Sequence, residues 1–242
     1  MNVVNIASWM EMRIGRCPDG QSTFFSLVSF PWVQTLEENW TTIRKELNKL
    51  LEHKEDIPNL QDVSPEQSPV AHGESWKTFF LYGFGHKIEQ NCVQCPETTR
   101  IVRKIPGLKM AMFSILAPKS HIPAHRGPYK GLLRYHLGLM IPSPNSSCGI
   151  RVGSEIRCWQ EGRSLIFDDS HDHEAWNHSD SQRVILFVDF VRPLHFPLSM
   201  LNRVLIWQIS KLPFVVNAVN RLRARKDPPG NRERATPKGI SL

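Results

Sequence analysis

The sequence predicts a mainly β protein with flanking helices, its strands wound as a double-stranded β-helix, or jelly roll. Two observations carry this. Short strand-like runs at 110–117, 131–141, 149–153, 155–159, 163–168 and 183–191 are divided by Pro, Gly, Asn and Ser, which indicates an antiparallel sandwich or barrel. Two histidines in unlike neighbourhoods, His125 in HRGP and His173 in DDSHDHE, lie on either side of several of these runs, and a jelly roll can bring such distant positions together. One β-rich domain with appendages is the simplest organisation for 242 residues. A chain of this size buries roughly 70–75% of its unfolded surface and needs no disulfide support.

Residues 1–75 are expected to form a helical and irregular segment packing on the core. Within it, Leu36, Trp40, Ile43, Leu47 and Leu50 recur at steps of three and four, predicting one packing helix from Val33 to His53. The stretch 54–75 is rich in Pro, Ser and acids without periodicity, predicting a loop. The core spans 76–193. It opens with an aromatic strand from Trp76 to Phe84 and a short helix that begins near Pro96 and stops at Pro106-Gly107. Strand alternation puts Arg134 and His136 on one face and Leu133, Tyr135 and Leu137 on the other; Arg183 shares a face with Ile185 and Phe187. An inward arginine is costly unless paired, so these polar groups expect an anion between them.

Residues 194–226 predict an amphipathic helical segment. Its apolar runs are broken by Arg203, Lys211 and Pro213 and never approach the ~20 residues of a bilayer span. Two helices meeting at Pro213, with exposed Leu, Ile, Trp and Phe and then a basic cluster, suit peripheral contact with a membrane through 195–226. The competing reading is a helix packed on the domain or at a dimer interface. Residues 227–242 read as a basic disordered tail. The formal charge is +7, yet residues 221–242 hold seven basic and two acidic side chains, a balance of +5. The basicity therefore describes the tail more than the core. No aromatic residues interleave with it, so no nucleic-acid partner is expected.

Five cysteines, Cys17, Cys92, Cys95, Cys148 and Cys158, are too few and uneven for a secreted disulfide framework. The Cys92/Cys95 pair has no second pair to complete a structural zinc site. The N-terminus lacks the basic-then-apolar order of a signal peptide. These features fit an intracellular, cytoplasmic setting, peripheral to the membrane if the C-terminal segment docks.

Imidazole ligands suit iron, zinc, copper or nickel, so His125 and His173 alone do not name a metal. The second residue after His125 is Gly127, where the usual facial triad of Fe(II) oxygenases carries a carboxylate.

Ser114, His125-Arg-Gly-Pro, the run Leu133–Leu139, Trp159-x-x-Gly162, the run Phe167–Ser170, the His173–His178 cluster and Arg183 together resemble the aspartyl/asparaginyl β-hydroxylase family of Fe(II)- and 2-oxoglutarate-dependent dioxygenases. The resemblance covers Trp76 to Pro193. It implies that His125 and His173 ligate iron without a carboxylate beside them, which accounts for Gly127. It further implies that Arg183 pairs with one carboxylate of 2-oxoglutarate, that Ser114, Arg134 and His136 hold its carboxylates, and that Trp76 borders its pocket. Asp169 then orients an iron-bound water, or alternatively caps a turn. O2 is the second cosubstrate. The implied reaction is oxidative decarboxylation of 2-oxoglutarate coupled to hydroxylation of an unactivated C–H bond. The first substrate expectation is the β-carbon of Asp or Asn in a protein or peptide, the alternative a lipid acyl chain of lipid A or ornithine lipid type. The chain departs from the animal protein hydroxylases in showing no N-terminal span and no helical repeats. A non-catalytic jelly-roll binding module is the reading from another class, opposed by retention of the whole polar set.

Overall fold

The structure, a computed structural model, describes residues 3–63 and 75–224. In chain order it comprises α1 (Val3–Ile14), α2 (Trp32–Glu38), α3 (Trp40–Leu51), α4 (Leu60–Val63), β1 (Trp76–Gly83), β2 (His86–Lys87), α5 (Glu89–Cys92), α6 (Pro96–Val102), β3 (Leu108–Leu116), β4 (Ser120–His125), β5 (Leu132–Met140), β6 (Cys148–Val152), β7 (Glu155–Cys158), β8 (Ser164–Phe167), β9 (His173–Asn177), β10 (Arg183–Val191), α7 (Leu198–Ile209) and α8 (Pro213–Ala224).

The strands form a six-stranded sheet, β2-β1-β3-β10-β5-β8, facing a four-stranded sheet, β4-β9-β6-β7. All these pairings are antiparallel, as the predicted double-stranded β-helix requires. Side-chain alternation divides the six-stranded sheet into two cores. Ala111, Phe113, Tyr135, Leu137, Val184, Leu186 and Val188 pack outward under Ile43, Leu47 and Leu50 of α3. Met112, Leu116, Ile185 and Phe187 pack inward against Ile150, Val152 and Ala175 of the opposing sheet. Trp76, Ser114, Arg134, His136 and Arg183 lie in register with these inward residues, so the polar set faces the space between the sheets.

Several local expectations change. The single helix expected over 33–53 is two, α2 and α3, with a break at Asn39, whose side-chain amide donates to the Thr35 carbonyl. The strands carrying the two histidines, β4 and β9, fall outside the predicted runs. β4 contains Pro123 and lies at a sheet edge, where proline sacrifices no ladder hydrogen bond, and its pairing with β9 is irregular between Ile122 and His125. Part of the expected 54–75 loop is ordered: Leu60 and Val63 of α4 are buried in the inner core. Residues 64–74, 225–226 at the end of the expected C-terminal helical segment, and the expected tail at 227–242 lie outside the described residues. All five cysteines are free. Among the described residues no helix is long and apolar enough to cross a membrane.

Leu47 is fully buried beneath α3. Leu47→Ala is expected to cost about 2–5 kcal/mol, the range for a large-to-small core change. Urea unfolding followed by circular dichroism measures this; a loss below ~1 kcal/mol contradicts the packing described.

Candidate functional site

His125 and His173 are direct cross-strand partners in β4 and β9, and their ring centroids are 4.2 Å apart. Each Nδ1 is tied to a backbone carbonyl, His125 to Pro123 at 2.8 Å and His173 to His171 at 3.0 Å. A carbonyl only accepts, so Nδ1 carries the proton and Nε2 keeps its lone pair. This is the tautomer that a metal ligand needs. Burial lowers both imidazole pKa values, His173 to about 3, with the positive charge of Arg134 acting in the same direction. Two neutral nitrogen donors therefore stand together at neutral pH.

The missing carboxylate has a steric explanation. A Cβ built on Gly127 would overlap the carboxylate of Asp169, and the Gly127 amide donates to the Asp169 carbonyl at 2.7 Å. The space that a side chain at 127 would fill is thus taken by an acid from the β8–β9 turn. Arg134 Nη2 holds Asp169 Oδ2 at 2.9 Å, while its Nε and Nη2 also donate to Asp189 at 2.8 and 3.1 Å. Burial raises the Asp169 pKa to about 6 against the pull of Arg134.

Arg183 contrasts with Arg134. It is 2% exposed, and neither Nε nor Nη1 finds a hydrogen-bond partner. Its guanidinium stacks 4.7 Å from the Trp159 ring centre, and burial lowers its pKa to about 10. Both ring nitrogens of His136 are likewise buried and unmatched, among Trp159, Phe167 and Phe187. Burial, reinforced by Arg134 and Arg183, drives the His136 pKa well down, so its ring is neutral. Ser114 Oγ accepts from Trp76 Nε1 at 2.9 Å, which leaves its hydroxyl hydrogen available to a ligand. Unmatched buried donors of this kind are rare and expensive. They fit a small anion that completes them.

All eight sequence-predicted residues are therefore brought to the inner space or its margin. Arg134 differs from expectation in that two of its nitrogens are already committed to carboxylates. Sequence reading overlooked Asp189, the second partner of Arg134, and treated Trp159, the platform under Arg183, as core. Strand alternation could have found Asp189, which shares a face with Arg183 at the seventh position along β10.

A second ionic cluster fixes the turn carrying Asp169. Asp168 is fully buried and accepts from Lys130 Nζ at 2.8 Å and Arg192 Nη1 at 2.7 Å, and Arg126 Nε donates to the Ser170 carbonyl at 2.7 Å. The segment after His125 is thereby tied to the segment before His173. Burial pushes the Asp168 pKa up, but the bonds from Lys130 and Ser170 and the charge of Arg192 outweigh it and hold the pKa below the ordinary value.

Residues 37–193 match the family described as Aspartyl/Asparaginyl beta-hydroxylase. An ornithine lipid ester-linked acyl 2-hydroxylase of Rhizobium tropici is 46% identical over 213 residues, covering 88% of this chain and 76% of that protein. The human aspartyl/asparaginyl beta-hydroxylase is 35% identical over 166 residues, covering 66% of this chain but 21% of its own length. The aspartate beta-hydroxylase domain-containing protein 2 of Xenopus tropicalis is 36% identical over 66% of this chain and 44% of its own.

Asp168→Asn preserves shape but strands two buried cations, and about 3–5 kcal/mol of stability is expected to disappear at pH 7. Because the folded pKa is depressed, the carboxylate's contribution is complete above the ordinary value and lost as pH falls through the folded one. The gap between wild type and variant should accordingly narrow below about pH 4. Urea titrations across pH check both; a gap unchanged by acid contradicts the charge assignment.

Proposed function

The chain belongs to the aspartyl/asparaginyl β-hydroxylase family, and from that premise we propose that it is an Fe(II)- and 2-oxoglutarate-dependent hydroxylase of a lipid acyl chain. The unmatched, buried guanidinium of Arg183 beside the unmatched ring of His136 is the observation that carries the cosubstrate reading. In this reading Nε2 of His125 and Nε2 of His173 hold the metal. Arg183 grips one carboxylate of 2-oxoglutarate, where a planar fork outperforms lysine. Ser114 donates its free hydroxyl hydrogen and His136 its ring N–H to the same cosubstrate. Trp76 orients Ser114, and Trp159, Phe167 and Phe187 keep the pocket dry. Asp169, held by Arg134, would orient a water on the metal. Iron, 2-oxoglutarate and O2 supply the oxidative decarboxylation that powers C–H hydroxylation.

The substrate class rests on how far similarity extends. The match to the ornithine lipid enzyme runs over 213 residues, beyond the 157 of the family core at 37–193, so it includes flanking segments. The match to the human protein hydroxylase covers only 66% of this chain. The flanks hold α1, α7 and α8, which are elements that would present a membrane lipid. Hydroxylation of Asp or Asn β-carbons in a protein is the second reading, supported by the 35% identity within the core.

Anaerobic loading with Fe(II) and 2-oxoglutarate, followed by O2, tests the proposal through succinate and the mass of added substrate. Succinate is expected from wild type and none from His125→Ala. Arg183→Lys should raise the apparent KM for 2-oxoglutarate at least ~10-fold. An ornithine lipid one oxygen heavier supports the acyl reading. A modified Asp/Asn peptide with untouched lipid transfers the assignment to the second reading, and failure of wild type to give succinate with either substrate contradicts both.

A further inference from the structure

α7 is apolar on two sides, and among the described residues only one is covered. Asn202, Leu205 and Ile206 are buried, the latter two in a cluster with Met10, Ile14 and Tyr129. On the other side Met200, Leu201, Val204 and Trp207 are 52%, 38%, 48% and 60% exposed, at spacings of one, four and seven residues that form a single helical stripe. Phe196 before the helix and Phe214 on α8 are 80% and 48% exposed. A contiguous apolar stripe of this kind marks an interaction surface.

What lies beside the stripe identifies its partner. A cavity of about 480 Å³ is lined by Phe84, His86, Lys109, Trp207, Lys211 and Arg223 among others, with no Asp or Glu among the described residues of its wall. Trp207 belongs to both the stripe and the cavity, and Lys211 Nζ lies 4.8 Å from its ring centre. Lys109 is half-buried, and its pKa is lowered by burial and by the neighbouring Arg203, as expected where cations crowd without a counter-ion. Residues 190–226 contain no acidic side chain. An apolar ridge with an interfacial tryptophan, beside cations that pair with no acid among the described residues, is complementary to the surface of an anionic bilayer.

We infer that α7 and α8 form a docking surface for an anionic phospholipid bilayer, with Lys109, Lys211 and Arg223 receiving a lipid phosphate. The surface is mechanically joined to the site. Asn202 of α7 accepts from the Tyr129 hydroxyl at 2.8 Å and donates to the Gly131 carbonyl at 2.9 Å, so it clamps the segment that follows His125. The inference rests on the acyl-lipid reading for its purpose, not for the docking itself, and its test is therefore read without turnover.

The full chain is sedimented with vesicles of phosphatidylcholine alone or with about one-third phosphatidylglycerol, whose surface charge attracts basic side chains. At least about tenfold tighter binding to the anionic vesicles is expected, with high salt removing the preference. Lys211→Gln with Arg223→Gln should abolish the preference, and Val204→Glu should weaken binding to both vesicles, while circular dichroism stays unchanged. Equal binding to the two compositions, or insensitivity to these substitutions, overturns the inference. Displacement by soluble glycerol phosphate makes the cavity a small-anion site instead. A dimer dissolved by Val204→Glu, without vesicle binding, assigns the stripe to a second copy of the chain.

Discussion

Arg183 is buried between the sheets as a cation with no anion among the described residues. At neutral pH it stays charged, because even the lowered pKa is about 10. Leaving such a charge unpaired costs several kcal/mol, and stacking on Trp159 returns at most about 2 kcal/mol. The surrounding architecture keeps that charge in place: β10 sits in the interior of the six-stranded sheet, fixed by β3 on one side and β5 on the other. A rigid strand holds the guanidinium where a flexible loop would let it reach water. Its unmet hydrogen bonds are the free energy available to an entering carboxylate.

Arg134 shows the opposite arrangement on the same face. Its charge is met by Asp169 and Asp189, whereas Nε and Nη1 of Arg183 are unmatched. Through Asp169, Arg134 also shapes the neighbourhood of His125, because that carboxylate occupies the volume left by Gly127. The two sheets thus divide the work. The four-stranded sheet supplies two imidazoles with fixed tautomers, and the six-stranded sheet supplies the donors for an anion. The Asp168 cluster ties the connecting segments together, and Asn202 links them to α7.

Much of this was legible beforehand, for definite reasons. Alternation along β5 and β10 put Arg134, His136 and Arg183 on their observed face because strands buried on both sides leave no freedom of register. β4 and β9 were not legible as strands. SHIPAH carries a proline, HEAWN breaks alternation with polar His173 and Glu174 side by side and apolar Ala175 and Trp176 after them, and their pairing draws its stability from partners far away in sequence. The break between α2 and α3 was hidden because the apolar steps run through it unbroken, with Trp40 still in phase. Asp189 was visible as an acid in an apolar strand, but its meaning depends on Arg134 across the β5–β10 register. The roles of Ser114 and Trp76 came from family resemblance alone, since a serine and a tryptophan in strands carry no pattern of their own.

The most direct measurement of the central claim is a crystal structure of the protein grown without oxygen with Mn(II) and 2-oxoglutarate. The account predicts the metal on Nε2 of His125 and Nε2 of His173, and one cosubstrate carboxylate on Arg183 with Ser114 and His136 beside it. Metal bound at another place, such as the partly exposed His53, Glu55 and Asp56 group, with Arg183 still unmatched, would contradict it.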